Sequence, residues 1–250
     1  SGFLLLGLLT YSLELQYIEL INIIFHGNFV WLLRLIHMLG ANFVVIITIL
    51  HFSKVIIYIN ITSPNKSLIW LVGASIFILS LAIAFTGYVV VAGNMSYWAA
   101  LVILNLFSIL PIIGDEIVAW ILGSSTVTSW SLRRFTVIHF LTAIIAIILI
   151  IVHIILLHRQ APSKITSDLS DGTATLVFVL IKDLVICLLV ILLLLHDSIK
   201  TLVHPDNWQG FSRLITPSHI EPEIYFLWAF SAIKLHNGKI LGALFPIHLE

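Results

Sequence analysis

From Phe135 to His158 the chain carries no aspartate, glutamate, lysine or arginine. At roughly 1.5 Å of rise per residue, a helix of that length crosses a hydrocarbon layer roughly 30 Å thick, where backbone polar groups must bond to one another. Comparable apolar runs recur along the 250 residues, of which 60% are hydrophobic and 10% charged, with a mean hydropathy of +1.13. Soluble domains carry about 25% charged residues. The chain therefore reads as an integral membrane protein of the all-α class, a polytopic bundle of transmembrane helices. Its formal net charge is zero, which offers nucleic acid no basic surface. Cys187 is the only cysteine, so an internal disulfide and a cysteine-ligated cluster are excluded.

Five spans are expected. The first runs from Ser1 to about Ile24, with Glu14 and Glu19 weakening its far half, and the second from Trp31 to Tyr58, with Arg34 and Lys54 as end anchors. Pro64, Asn65 and Lys66 read as a turn before a third span from Leu68 to about Val91. Between Asn94 and Trp130, residues such as Asn105, Pro111, Gly114, Asp115 and Glu116 interrupt the apolar character, which predicts short amphipathic helices along the interface. Leu132 to His158 is the fourth span and Thr173 to Leu195 the fifth, separated by a polar loop. A long connection rich in Pro, His and Asp then leads to an aromatic cluster near Trp228. Two regions are expected: 1–172, a four-helix bundle with interfacial helices at about 94–130, and 173–250, the fifth span and long loop. Ser1 stands first instead of Met, and a new apolar stretch begins near Ile240, so both ends are expected to be incomplete.

Two spans bear histidine pairs at one spacing. His37 and His51 are fourteen residues apart, as are His139 and His153. Fourteen helical steps fall about 40° short of four turns and rise about 21 Å, so each helix offers two imidazoles on one face at two depths. One span separates the two helices, which therefore run parallel if 94–130 does not cross. His37 then shares a level with His139, and His51 with His153. Lys66, Arg159 and Lys164 place the second level nearer the cytoplasmic or matrix face, with Glu116 and Glu223 on the opposite side.

Two facing imidazoles fill both axial positions of a haem, and iron so ligated transfers electrons instead of activating oxygen. Two stacked centres would form an electron path across the membrane. Gly73 and Gly87 share the fourteen-residue step and would clear side chains where flat macrocycles lean on the third span; no second glycine follows Gly2, since Gln16 stands at that position. Arg34, Lys54, Arg133 and Arg134 lie about one or two turns outward from the histidines, as partners for haem propionates or as snorkelling anchors. Two other readings fit intramembrane histidines: a ferric-reductase or oxidase type of dihaem reductase, although no glycine-rich nucleotide loop occurs here, and a haem-free transporter subunit with a proton relay.

The motifs resemble those of the cytochrome b family, the dihaem subunit of ubiquinol-cytochrome c oxidoreductase (complex III). They run in family order from about residue 30 to 230. The matching residues are Gly87-Tyr88-Val89, Gly93-Asn94-Met95-Ser96-Tyr97-Trp98, and Asn105-Leu106-Phe107-Ser108 with Pro111, Gly114, Val118 and Trp120. The pattern resumes at Arg134-Phe135, His139-Phe140, Val152-His153 and Leu157-His158, and again at Ile181-Lys182-Asp183, Pro205-Asp206-Asn207, Thr216-Pro217, His219-Ile220 and Pro222-Glu223-Ile224-Tyr225-Phe226. The equal spacing of both histidine pairs and the uninterrupted chain favour the respiratory over the chloroplast type.

The resemblance implies two b-type haems, the low-potential one on His37 and His139 and the high-potential one on His51 and His153. It implies quinol oxidation at the positive side with Glu223 as proton acceptor beside Tyr225, and quinone reduction at the negative side with His158, Lys182 and Asp183 as proton donors. Ubiquinone would be the substrate. A Rieske-type iron-sulfur protein, a cytochrome c1-type subunit, other complex III subunits and membrane lipid would be partners in a homodimeric complex of the mitochondrial inner membrane. The chain departs from the family at Ile224, where tryptophan is usual, at Phe230, which lacks the expected hydroxyl, at Lys54 in place of arginine, and at Val91-Ala92 in place of Pro-Trp. These changes predict an altered quinol pocket.

Overall fold

The computed structural model describes residues 1–7, 29–58, 64–108, 111–124, 126–160, 209–217 and 223–227, with isolated positions near 17, 22, 181–189, 207 and 220. Its helices are α1 (Gly2–Leu6), α2 (Val30–Tyr58), α3 (Pro64–Val90), α4 (Asn94–Phe107), α5 (Gly114–Leu122) and α6 (Ser129–Gln160), with one turn of 3₁₀-helix at Ile224–Phe226. No strand occurs among the described residues, only an isolated bridge between Gly93 and Gly210. Three helices are long and apolar enough to cross a membrane: Val30–Tyr58, Lys66–Val90 and Ser129–Arg159. They match the second, third and fourth expected spans to within a few residues. Most of the first and fifth expected spans lie outside the described residues.

Pro64 to Lys66 form the first turn of α3, where a separate turn was expected. Proline suits that position because its fixed φ is already helical and the N–H it lacks would have no intrahelical partner. The other end of α3 closes with tightened bonds, Val91 N–H to Tyr88 O and Ala92 N–H to Val89 O. Ala92 follows at φ 57°, a left-handed conformation more often held by glycine at this place past a helix.

The chain folds as two compact units. One comprises 1–2, 32–84 and 140–203; the other comprises 3–31, 85–139 and 204–250. Within the first, Leu35, Leu39, Asn42 and Val45 line the buried face of α2. Many of the apolar side chains of α6 beyond Phe140, Ile147 and Ile148 among them, are exposed on the protein alone. On a segment of that length they are suited to lipid.

The second unit holds a packed core of Val89, Tyr97, Leu104, Leu122, Leu132 and Phe135. Helices α4 and α5, in the region expected to hold interfacial helices, pack against each other in this unit. Gly114 makes that approach possible, since a Cβ there would collide with the Phe107 carbonyl. Gly123 ends α5 at φ 67°, its N–H bonded to Ala119 O at 2.8 Å. Ser131 then ties α5 to α6. Its hydroxyl donates to Leu122 O at 2.6 Å and accepts the Thr128 N–H at 3.0 Å, half of a capping box.

A distant segment completes the start of α4. Asn207 Oδ1 accepts the Ser96 N–H at 3.0 Å, supplying an N-terminal cap from 111 residues away. Asn94 N–H bonds Gln209 O at 2.9 Å, and Asn94 Oδ1 accepts the Ser212 N–H at 3.0 Å. Trp98 Nε1 donates to Ser212 O at 3.1 Å, and Tyr97 stacks on Phe211 with centroids 5.1 Å apart. Gly93 faces Asn207 so closely that no side chain fits between them.

Candidate functional site

The unit holding residues 85–139 positions one of the four histidines. His139 sits on α6 with its Cε1 edge against Gly87 of α3, where a Cβ would lie only 2.7 Å from that atom. Thr86 Oγ1 lies 3.3 Å from His139 Nδ1. Gly87 leaves the imidazole room at this point. The backbone notch and the hydroxyl brace the ring along its Cε1 edge and at Nδ1.

The other unit repeats the arrangement one level along α6. His153 has its Cε1 edge against Gly73, 3.1 Å from a Cβ there. Its Nδ1 is buried and completes no hydrogen bond, the Ile69 carbonyl being in reach at less than full geometry. His51 of α2 lies close enough to His153 to interact electrostatically. Phe52, next to it, stacks on Phe77 at 4.3 Å with planes 6° apart. His37 also rests against a glycine, with Cε1 3.0 Å from a Cβ at Gly2, and Ser1 Oγ is 3.4 Å from its Nδ1. Sequence reasoning had treated Gly2 only as an unmatched position. Gln16 lies outside the described residues.

Three of the four histidines are therefore seated edge-on in glycine notches. Among the described residues no group of three or more His, Cys, Asp or Glu gathers to hold a bare ion. Imidazoles are the donors that haem takes, so His139, His153 and His37 fit that group and would be the residues to hold it.

The four cations separate. Arg34 is half-buried on α2 and Lys54 exposed on the same helix. Arg134 packs its guanidinium over Gly123, with Cζ 2.9 Å from a Cβ there. Arg133 is exposed and sits 5.1 Å over the Trp130 ring, the stance of an interfacial anchor.

A second cluster lies in the same unit, around Tyr88. Glu223 is half-buried, and burial pushes its carboxyl up to about 7. Tyr225 is buried, and burial with the Glu223 charge pushes its phenol up, so it stays a neutral donor. Tyr88, one residue past Gly87, is near enough to interact electrostatically with both. Tyr88 was legible only as part of a motif, although a tyrosine ending an apolar span beside a glycine is a usable signal. At the other end of α6, His158 is exposed, as is Lys182; Asp183 and Phe230 lie outside the described residues.

Residues 1–161 match the model of the family described as Cytochrome b/b6/petB. The chain is similar to cytochrome b of Apis mellifera ligustica, 33% identical over 249 residues, covering 98% of this chain and 64% of the relative. It is similar to cytochrome b of Saccharomyces cerevisiae, 37% identical over 220 residues, 86% of this chain and 57% of the relative. Among solved structures it is similar to a chain of a hyperthermophilic respiratory complex III, with TM-score 0.73, 25% identity, and coverage of 93% of this chain and 64% of that one. The chain thus spans less than two thirds of the length of the relatives it matches.

Proposed function

Since the chain belongs to the cytochrome b/b6 family, we propose that it is the electron-transferring subunit of a respiratory quinol-cytochrome c oxidoreductase, set in the mitochondrial inner membrane. Haem binding goes with the family. The observation that carries the proposal is the repeated notch, His139 on Gly87 and His153 on Gly73, on two helices in fourteen-residue step. His37 with His139 and His51 with His153 would hold two b-type haems, which supply one-electron carriers at two depths. Arg34 and Lys54 are the proposed propionate partners of one helix; Arg133 and Arg134 serve the other.

At the positive side, Glu223 takes a proton from the quinol hydroxyl. A carboxyl near 7 is matched to that task, because it is partly ionised at working pH yet basic enough to accept. Tyr225 remains neutral, and with Tyr88 it would bound the same place with phenol hydroxyls. Quinol oxidation gives up two electrons and two protons; one electron would go to a Rieske-type iron-sulfur partner and a cytochrome c1-type subunit, and the other would be available to the carriers that the histidine pairs would hold. At the negative side two inward electrons, from two quinol oxidations, would reduce one quinone, with His158, Lys182 and Asp183 supplying the two protons it takes up. Release and uptake on opposite faces store energy as a proton gradient. Residues 1–172 would carry both haems and 173–250 would supply the outer-site loop, in a homodimeric complex with ubiquinone as substrate.

A pyridine haemochrome assay on the purified complex tests this reading. Two b-type haems per copy of the chain, both reduced on adding quinol, are expected. A haem-free chain, or haems that quinol does not reduce, would contradict it.

A further inference from the structure

We propose that Thr86 is a positioning residue that sets the reduction potential of the centre held by His139. The inference rests on the haem reading above. Thr86 is buried on α3 next to Gly87, and its Oγ1 lies 3.3 Å from His139 Nδ1. The Gly87 notch fixes the imidazole edge at that point, so the hydroxyl and Nδ1 are held within reach of each other; ligation through Nε2 would put the proton on Nδ1. A helical threonine hydroxyl can donate to the carbonyl one turn back. Its lone pairs then accept from Nδ1–H.

Donation from Nδ1 makes the imidazole more electron-rich at Nε2 and favours the oxidised form of a metal bound there. The potential is lowered. His153, on the same helix, shows the contrast, since among the described residues its buried Nδ1 meets no side-chain hydroxyl and has the Ile69 carbonyl as its neighbour. A hydroxyl acceptor at one level and none of full geometry at the other separates the two potentials in the order the function needs, the His139 centre lower. No motif marks Thr86, because one hydroxyl in an apolar span reads as an ordinary helix residue.

The test is a redox titration of the intact complex carrying Thr86→Val, which keeps the side-chain shape and removes the oxygen, with Thr86→Ser beside it. The expected result is an upward shift in the midpoint of the centre that His139→Leu abolishes. Its reduction equilibrium should change a few-fold, up to about tenfold, which for one electron is about 59 mV. The other centre should not move, and Thr86→Ser should stay near the parent value. Two haems with unshifted midpoints in Thr86→Val would overturn this inference alone. Equal shifts in both would also overturn it, by showing a general loosening. A complex without haem would overturn the functional reading and this one together.

Discussion

Glu223 gives the most quantitative handle on the outer site. Its carboxyl rises from an ordinary 4.5 to about 7 because burial penalises the charged form. That shift corresponds to about 3 kcal/mol of differential interaction between the two protonation states. The folded chain therefore keeps this proton between pH 4.5 and about 7, where the unfolded chain has lost it. The stabilising contribution is complete below 4.5 and is lost as pH rises through about 7. In the proposed role proton acceptance runs the other way, since only the carboxylate can take a proton. About a tenth of the chains are ionised at pH 6 and about nine tenths at pH 8, which predicts a rise in quinol oxidation of about ninefold across that window. Steady-state cytochrome c reduction from pH 5.5 to 8.5 reads the profile, with Glu223→Gln as the paired variant. The variant should be slow, lack this acid limb and keep both haems. A parent profile flat through pH 7, or a Gln variant that retains the limb, would refute the reasoning.

Gly87→Ala places a Cβ 2.7 Å from His139 Cε1 and Gly73→Ala one 3.1 Å from His153 Cε1, so each should cost about 1–3 kcal/mol of overpacking, with the first the costlier. Reduced-minus-oxidised spectra should show Gly87→Ala losing its level's haem more completely; equal loss would mean that the notch is not the constraint. Asn207→Ala removes the acceptor for the Ser96 N–H and should cost about 1 kcal/mol in thermal stability of the complex, and an unchanged melting profile would contradict the borrowed cap. Ile112 is a β-branched residue at φ 75° with its side chain 96% exposed, so Ile112→Gly should stabilise by about 1 kcal/mol without changing haem content, measured by thermal denaturation.

Long uncharged runs made the central spans readable, because the hydrocarbon layer dictates both their length and their helicity. Val30–Tyr58 and Ser129–Gln160 begin and end within a few residues of the expected limits. Pro64 was misread because a Pro-Asn pair is as compatible with a first helical turn as with a loop. The histidine and glycine periods were legible because a helix converts spacing into facing. The close approach of His139 to Gly87 and of His153 to Gly73 was not, since a period alone does not name the neighbour. Thr86 beside His139 and Asn207 beneath Ser96 depend on the packing of segments far apart in sequence, and no local pattern announces them.

The central claim is that two haem levels exist and that each helix contributes one histidine to each. A potentiometric titration of the complex, followed in the visible haem bands, tests it most directly when repeated on His139→Leu and His153→Leu. Two b-type transitions are expected in the parent. His139→Leu should remove the lower and His153→Leu the higher, each sparing the other. A single transition in the parent, or both transitions surviving in either variant, would contradict the account.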